Sequence, residues 1–226
     1  MRETSGNIAI FDLDYTITRK GTWSRFVLRT IKDRPSLWLP VLLSMAKNQF
    51  FYKIGTATRC GVKQAMMNLS MVGWTKEKVE DFATSFSINE VQTGLRPGAV
   101  KAIEAHRAAG DTLIIASAAV DVIVAQMSKQ LGIDHYVATE MDWNDGCLSA
   151  EFASKNCYGA EKLARVQDYL DRNPRLKQNH TKITMYSDSH SDLDLLLWAD
   201  EGIGVDPTRQ LKALSRIHEL KVVSWL

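Results

Sequence analysis

Cysteine is scarce in this chain of 226 residues, and the three present, Cys60, Cys147 and Cys157, are odd in number and far apart. Their spacing excludes a disulfide framework and a zinc cluster, and points to a reducing compartment. A long apolar run is also missing. The longest nearly apolar window, Leu37 to Ala46, contains Pro40 and is about half a membrane span. No apolar stretch precedes the first acids, so no secretory signal is expected and the expected location is the cytoplasm. Net charge is nearly absent at +2, which argues against a dedicated nucleic-acid binder. No internal repeat and no low-complexity tract occurs. What remains is 45% hydrophobic and 24% charged residues, an ordinary balance for a globule with a proper core.

Acid is almost missing from one segment. Between Arg19 and Lys63 there are ten Lys or Arg and one acid, Asp33, a net charge of +9 against −7 for the remainder. A near-neutral protein is thus a basic segment set into an acidic body.

The first element to stand out is Ile-Ala-Ile-Phe-Asp12-Leu-Asp14-Tyr-Thr16. An unbroken apolar run reads as a buried parallel strand, here residues 7–12, and ligands bind at the carboxyl ends of such strands. Two carboxylates crowded there repel each other and lose hydration, which a divalent cation offsets. From Thr22 the apolar residues Trp23, Phe26, Val27 and Ile31 recur at helical spacing. Arg34-Pro35 breaks this helix. A second runs from Ser36 to about Tyr52, with Pro40 placed where a first turn tolerates it. Further helices are expected over roughly 56–70 and 75–88, so 19–93 reads as an all-helical insertion.

Gly94-Leu-Arg-Pro97-Gly98 marks the return. A helix over 97–109, a strand Thr112–Ser117, a helix over 120–131 and a strand His135–Glu140 follow. Asn144-Asp145-Gly146 predicts a hairpin turn. A helix over Gly159–Leu170, a strand Lys182–Ser187, a helix carrying Leu193, Leu196 and Leu197, and short strands at Gly202–Val205 and Val222–Trp225 complete the pattern. Alternating strands and helices give an α/β fold with a parallel sheet.

Polar groups follow four of these elements: Asp12, Asp14 and Thr16; Ser117; Lys162; Asp188 and Asp192. Parallel strands bring them to one edge. A candidate carboxylate nucleophile, a second carboxylate, hydroxyls, a cation and a further acid pair suit phosphoryl transfer, which needs positioning and charge neutralisation above all. Singly, each has a plainer reading: Asp188 and Asp192 as helix-start acids, Ser117 as a strand-end cap, Lys162 as a solvated lysine. Cys157 reads as a packing residue, and His190 as a loop residue.

Together Phe-Asp12-Leu-Asp14-Tyr-Thr16, Ile-Ile-Ala-Ser117, Gly-Ala-Glu-Lys162 and Tyr-Ser-Asp188-Ser-His-Ser-Asp192 resemble the four ordered motifs of the haloacid dehalogenase-like (HAD) superfamily. The helical insertion after the first motif is similar to that of its phosphoserine phosphatase-like branch, subfamily IB. The resemblance implies a Rossmann-like parallel-sheet core, residues 1–18 and 94–226, with a helical C1-type cap domain, residues 19–93. It implies a Mg²⁺-dependent phosphatase acting on a small-molecule phosphomonoester. Asp12 would be the nucleophile and Asp14 the general acid and base. Thr16, Ser117 and Lys162 would hold the phosphoryl group. Asp12, the Asp14 carbonyl and Asp188 would bind Mg²⁺, with Asp192 and Ser189 behind them. Tyr15 stands where glycine is commonest in this motif, a departure accommodated if residue 15 points away from the phosphate.

Phosphoserine phosphatases carry an acid soon after the first motif; here Thr18-Arg19-Lys20-Gly21 has none, which argues against phosphoserine. A soluble metabolite is the expected substrate. The apolar residues Leu37, Trp38, Leu39, Val41, Leu42, Leu43 and Met45, then Phe50, Phe51 and Tyr52, read first as the cap's own core. Their basic flanks define an alternative, peripheral contact with an anionic membrane and a lipid phosphate such as phosphatidylglycerophosphate as substrate. A second alternative is a non-catalytic binding module on the same fold. The sequence does not fix the oligomeric state.

Overall fold

The computed structural model describes residues 6–53, 58–179 and 181–226. Its centre is β1 (Ile8–Phe11), whose four side chains are all buried. Strand alternation sends Ala9 and Phe11 into one core and Ile8 and Ile10 into the core on the opposite face. Burial of such side chains contributes roughly 1.5–3 kcal/mol each. Covering both faces explains why β1 is apolar throughout rather than alternating.

Around it lie β2 (Thr112–Val120), β3 (His135–Thr139), β6 (Ile183–Ser187), β7 (Glu201–Val205) and β8 (Lys221–Val223). They form one six-stranded sheet in the order β3-β2-β1-β6-β7-β8. Every pairing is parallel, with Phe11 opposite both Ile115 and Tyr186. Strand β2 runs past the expected end at Ser117, through an irregular register between Ala116 and Val120. The expected hairpin forms from β4 (Met141–Asn144) and β5 (Cys147–Phe152), antiparallel, with Asp145 and Gly146 both at positive φ.

Among the described residues, four α-helices lie between β1 and Gly94 in the chain: α1 (Thr22–Thr30), α2 (Pro35–Lys53), α3 (Arg59–Ser70) and α4 (Lys76–Thr93). The chain enters and leaves this insert through paired connections. Thr18 bridges Leu95, Arg19 N–H donates to the Gly94 carbonyl, and Arg96 N–H donates to the Ile17 carbonyl. Inside the insert, Arg25 pairs with the fully buried Glu90. The β4–β5 hairpin is stitched to the α3–α4 turn by Gly73 N–H to Leu148 O and Leu148 N–H to Trp74 O.

The insert's apolar segment splits in two. Val41 is buried and Leu37, Trp38 and Met45 pack on the core, whereas Leu39, Leu42 and Leu43 are exposed. The side chains of Phe50, Phe51 and Tyr52 lie outside the described residues. Pro40 corrects its expected placement: α2 begins at Pro35, so Pro40 is inside the helix rather than in its first turn. The carbonyl of Ser36, which loses its donor, belongs to an exposed residue open to water.

The remaining helices are α5 (Pro97–Ala109), α6 (Asp121–Leu131), α7 (Ala160–Arg172), α8 (Pro174–Asn179), α9 (Leu193–Trp198) and α10 (Arg209–Ile217). Helices α5 and α6 close on Gly110 and Gly132, both left-handed, which spares the strain a side chain would bring there. Beyond β8, Trp225 leaves the sheet and packs against Tyr186, which stacks on Phe11. It lies so close to Gly98 that a Cβ there would sit 2.4 Å from its ring. Among the described residues no helix is long and apolar enough to cross a membrane.

Candidate active site

The four polar stretches converge at the carboxyl edge of the sheet. Asp12 follows β1 in extended backbone and donates its N–H to the Tyr186 carbonyl. The chain then turns tightly through Leu13–Ile17, with Tyr15 at φ 63°. That left-handed conformation is costly for a residue with a side chain, and such strain concentrates at functional turns. Tyr15 is half exposed, lines the pocket and lies over Gly21, where an added Cβ would meet its ring at 3.3 Å.

Lys162, in the first turn of α7, reaches into this edge and is 2% exposed. Its Nζ donates to Asp12 Oδ1 at 2.9 Å and to Asp192 Oδ2 at 2.7 Å. Ser187 Oγ donates to the same Asp192 oxygen at 2.7 Å. Asp192 Oδ1 is buried with no hydrogen-bond partner among the described residues. Asp188, just after β6, receives the Thr16 hydroxyl at 3.3 Å and returns its own N–H to Thr16 Oγ1 at 3.0 Å. Thr16 thus grips Asp188 and is fully buried. Ser117 Oγ accepts the Ala119 N–H at 3.1 Å and keeps its hydroxyl hydrogen to give. Ser189 Oγ pairs with Ser191 Oγ at 2.8 Å on the pocket wall. Asp14 Oδ1 accepts the Thr22 N–H at 2.9 Å at the start of α1.

Electrostatics separate these acids. Burial pushes Asp12 up to about 8; Lys162 opposes the shift, while Asp192 and Asp188 add to it. Burial also lifts Asp188 to about 6, with Asp192 adding. Burial alone would favour a neutral amine at Lys162, but Asp12 and Asp192 outweigh it and hold the ammonium well above its usual range. Burial raises Asp14 as well, against the Thr22 hydrogen bond. A carboxyl whose pKa is raised is better fitted to give a proton than one at its ordinary value.

The donor set fits a hard dication. Asp12 and Asp188 crowd their charge at one buried edge, Asp192 Oδ1 lacks a donor, and the Asp14 carbonyl is nearby in sequence. Among the described residues no three His, Cys, Asp or Glu side chains form a ligand cluster, so such an ion would complete its shell with that carbonyl and water.

The pocket over these groups has a volume of about 270 Å³. A larger groove, about 590 Å³, lies along β3 and α7. Its arginines are already paired, Arg165 with Glu161 and Arg172 with Asp168, and none of the motif acids Asp12, Asp14, Asp188 and Asp192 lines it. Among the pocket residues that escape sequence reasoning are Lys63 of α3 and Asn156. Lys63 had a readable signal: it shares a helical stripe with the buried Met66, Met67 and Ser70, where an apolar residue is expected. Asn156, in a loop, had none. Cys157 is buried and its thiol is pushed up to about 11 by that burial, so it is a packing residue. His106 and His135 bond Asp111 and Tyr169, away from the pocket.

A parallel sheet that gathers buried acids, hydroxyls and one lysine at its carboxyl edge defines an α/β enzyme built for an anionic substrate. The chain belongs to the haloacid dehalogenase-like hydrolases: that family's model matches residues 9–197. A histidinol-phosphatase of Neisseria meningitidis is 23% identical over 97% of this chain and 96% of its own length. A Bordetella pertussis protein of unknown function shares the fold at a TM-score of 0.88, with 20% identity and coverage of 98% and 99%. A phosphoserine phosphatase structure holding a phospho-aspartyl intermediate analogue superposes at 0.62, with 16% identity and coverage of 96% and 92%. The chain is accordingly a phosphoric monoester hydrolase with the α/β architecture expected from its motifs.

Proposed function

We propose that the protein is a Mg²⁺-dependent phosphatase that hydrolyses a small soluble phosphomonoester, other than phosphoserine, through an aspartyl-phosphate on Asp12. The supporting observation is the buried contact of Lys162 with both Asp12 and Asp192 at the strand ends. Residues 1–18 and 94–226 act as the catalytic core and 19–93 as a cap, a division that the paired connections at Thr18 and Leu95 support.

In this mechanism an Asp12 oxygen attacks phosphorus in line and the bond to the leaving oxygen breaks. Asp14 gives that oxygen its proton, which its raised pKa favours. A water then attacks the acyl phosphate, Asp14 takes back a proton, and phosphate leaves with Asp12 restored. Lys162 and the Ser117 hydroxyl hold the phosphoryl oxygens. Thr16 positions Asp188, and Asp192 positions Lys162, with Ser189 at the wall. Asp12, Asp188 and the Asp14 carbonyl would hold Mg²⁺, which when bound would supply positive charge to offset Asp12 and the anionic substrate. Asp12→Asn should abolish hydrolysis of p-nitrophenyl phosphate with Mg²⁺ present, and EDTA should do the same to the wild type. Ordinary turnover by the Asp12→Asn protein overturns the mechanism.

A second reading, a lipid-phosphate phosphatase at an anionic membrane, is supported by the outward face of α2. Leu39, Leu42 and Leu43 are 66%, 46% and 60% exposed, and the exposed Lys32 and Lys47 flank them in the sequence. Co-sedimentation with phosphatidylglycerol vesicles at low salt tests it. Binding lost on changing all three leucines to serine supports it, and no binding by the wild type rejects it.

A further inference from the structure

We propose that Lys63 selects the leaving group, so that the site prefers a phosphomonoester whose leaving group carries its own anion, a carboxylate or second phosphate, over a neutral or cationic one. The inference rests on the phosphatase reading above and concerns the other end of the same pocket.

Lys63 reaches the core from outside it. It lies on α3, and its Nζ donates to the Ala118 carbonyl, next to Ser117, and to Asn156 Oδ1 at 2.7 Å. Those acceptors are themselves held. Thr139 Oγ1 donates at 3.0 Å to the Ala118 carbonyl and lies 3.1 Å from Asn156 Oδ1, and it accepts the Cys157 N–H at 3.0 Å. The ammonium is therefore fixed on a braced platform at the pocket wall. An ammonium has three N–H donors, and this platform accepts two.

The charge around the rest of the wall makes this ammonium decisive. Each carboxylate lining the pocket, Asp12, Asp14, Asp188 and Asp192, comes from the strand-end motifs. The described residues that line the remainder, such as Tyr15, Asn156, Tyr158 and Thr208, are neutral. A leaving group meets Lys63 there and, beyond Asp14 of the first motif, no further carboxylate to pair an amine. Burial is the main effect on Lys63 and lowers its pKa to about 8; Asp14, Cys60 and Cys157 oppose the shift and Lys162 adds to it. The selector is therefore charged at pH 7 and largely neutral at pH 9.

The test compares substrates on one enzyme preparation with Mg²⁺, so that any general loss cancels. 3-Phosphoglycerate and glycerol 3-phosphate share a three-carbon frame and differ by a carboxylate; histidinol phosphate supplies a cationic leaving group. The wild type should favour 3-phosphoglycerate over glycerol 3-phosphate in kcat/KM by about tenfold or more at pH 7, as one charge-assisted contact warrants. Histidinol phosphate should rank last. Lys63→Gln should bring the first ratio near one, and Lys63→Arg should keep it. In the wild type the ratio of 3-phosphoglycerate to glycerol 3-phosphate should fall between pH 7 and 9, above the second phosphate pKa of about 6 that both share. In Lys63→Arg it should stay level. A wild-type ratio near one, a ratio unmoved by pH, or histidinol phosphate as best substrate overturns the assignment. Failure of the wild type on every phosphomonoester, p-nitrophenyl phosphate included, overturns the phosphatase reading instead.

Discussion

Replacing Lys162 with methionine keeps the stem of the side chain and removes its charge. Two acids then lose their common partner inside the protein, Asp12 at 2.9 Å and Asp192 at 2.7 Å. At an effective dielectric constant of about 20, each contact carries roughly 6 kcal/mol of gross attraction. Desolvation of the ammonium offsets most of it, so removal of the one partner should cost about 3–5 kcal/mol net. For a chain of this length that is a fall in Tm of roughly 6–20 °C. The assay is urea unfolding followed by tryptophan fluorescence in EDTA, on wild type, Lys162→Met, Asp192→Asn and the double variant. Asp192→Asn alone leaves Ser187 an oxygen to bond and one carboxylate on the lysine. The double variant buries one fewer stranded charge than Lys162→Met, so its loss should be smaller than the sum of the single losses by at least about 1 kcal/mol. Strict additivity, or a Lys162→Met protein within about 1 kcal/mol of wild type, would refute the reasoning.

Three further changes probe the same edge and its supports. Asp14→Asn keeps an acceptor for the Thr22 N–H, so kcat should fall about 10²–10⁴-fold with Tm nearly unchanged, while Asp14→Ala should also lose about 1 kcal/mol of stability. Tyr15 is half exposed, yet Tyr15→Ile should cost about 1–2 kcal/mol in urea unfolding because a β-branched residue is worst at φ 63°; Tyr15→Gly should be nearly neutral. Gly98→Ala would place a methyl 2.4 Å from the Trp225 ring, so it should cost about 1–3 kcal/mol and shift tryptophan emission to the red.

Sequence pattern sufficed for the parts governed by local rules. Apolar runs, glycine stops and Asp145-Gly146 were enough to locate strands, helix ends and the hairpin. The parallel arrangement then required Asp12, Ser117 and Asp188 to meet. Three features needed the tertiary structure. Helix α10 occupies a stretch left unassigned between two strands, although Thr208 caps it through the Leu211 N–H. Trp225 was expected to continue the last strand, but β8 ends at Val223 and the indole folds back on Tyr186. Lys63 was one of ten cations in a basic segment, and its distinction depends on where α3 docks. Local periodicity could flag its inward stripe but not what lay beneath it.

The central place of β1 has a consequence for how the chain is made. Strand β1 leaves the ribosome before either of its partners, for Ile8 pairs on one side with Thr112 and on the other with Ile183. At about 5–20 residues per second, its second neighbour arrives on the order of ten seconds or more later. Until then an apolar ribbon with open hydrogen-bonding edges waits in the nascent protein, able to pair with another copy. The most protected segment of the finished enzyme is thus the most vulnerable during synthesis, and slow translation or crowded polysomes should show first as aggregation through this strand.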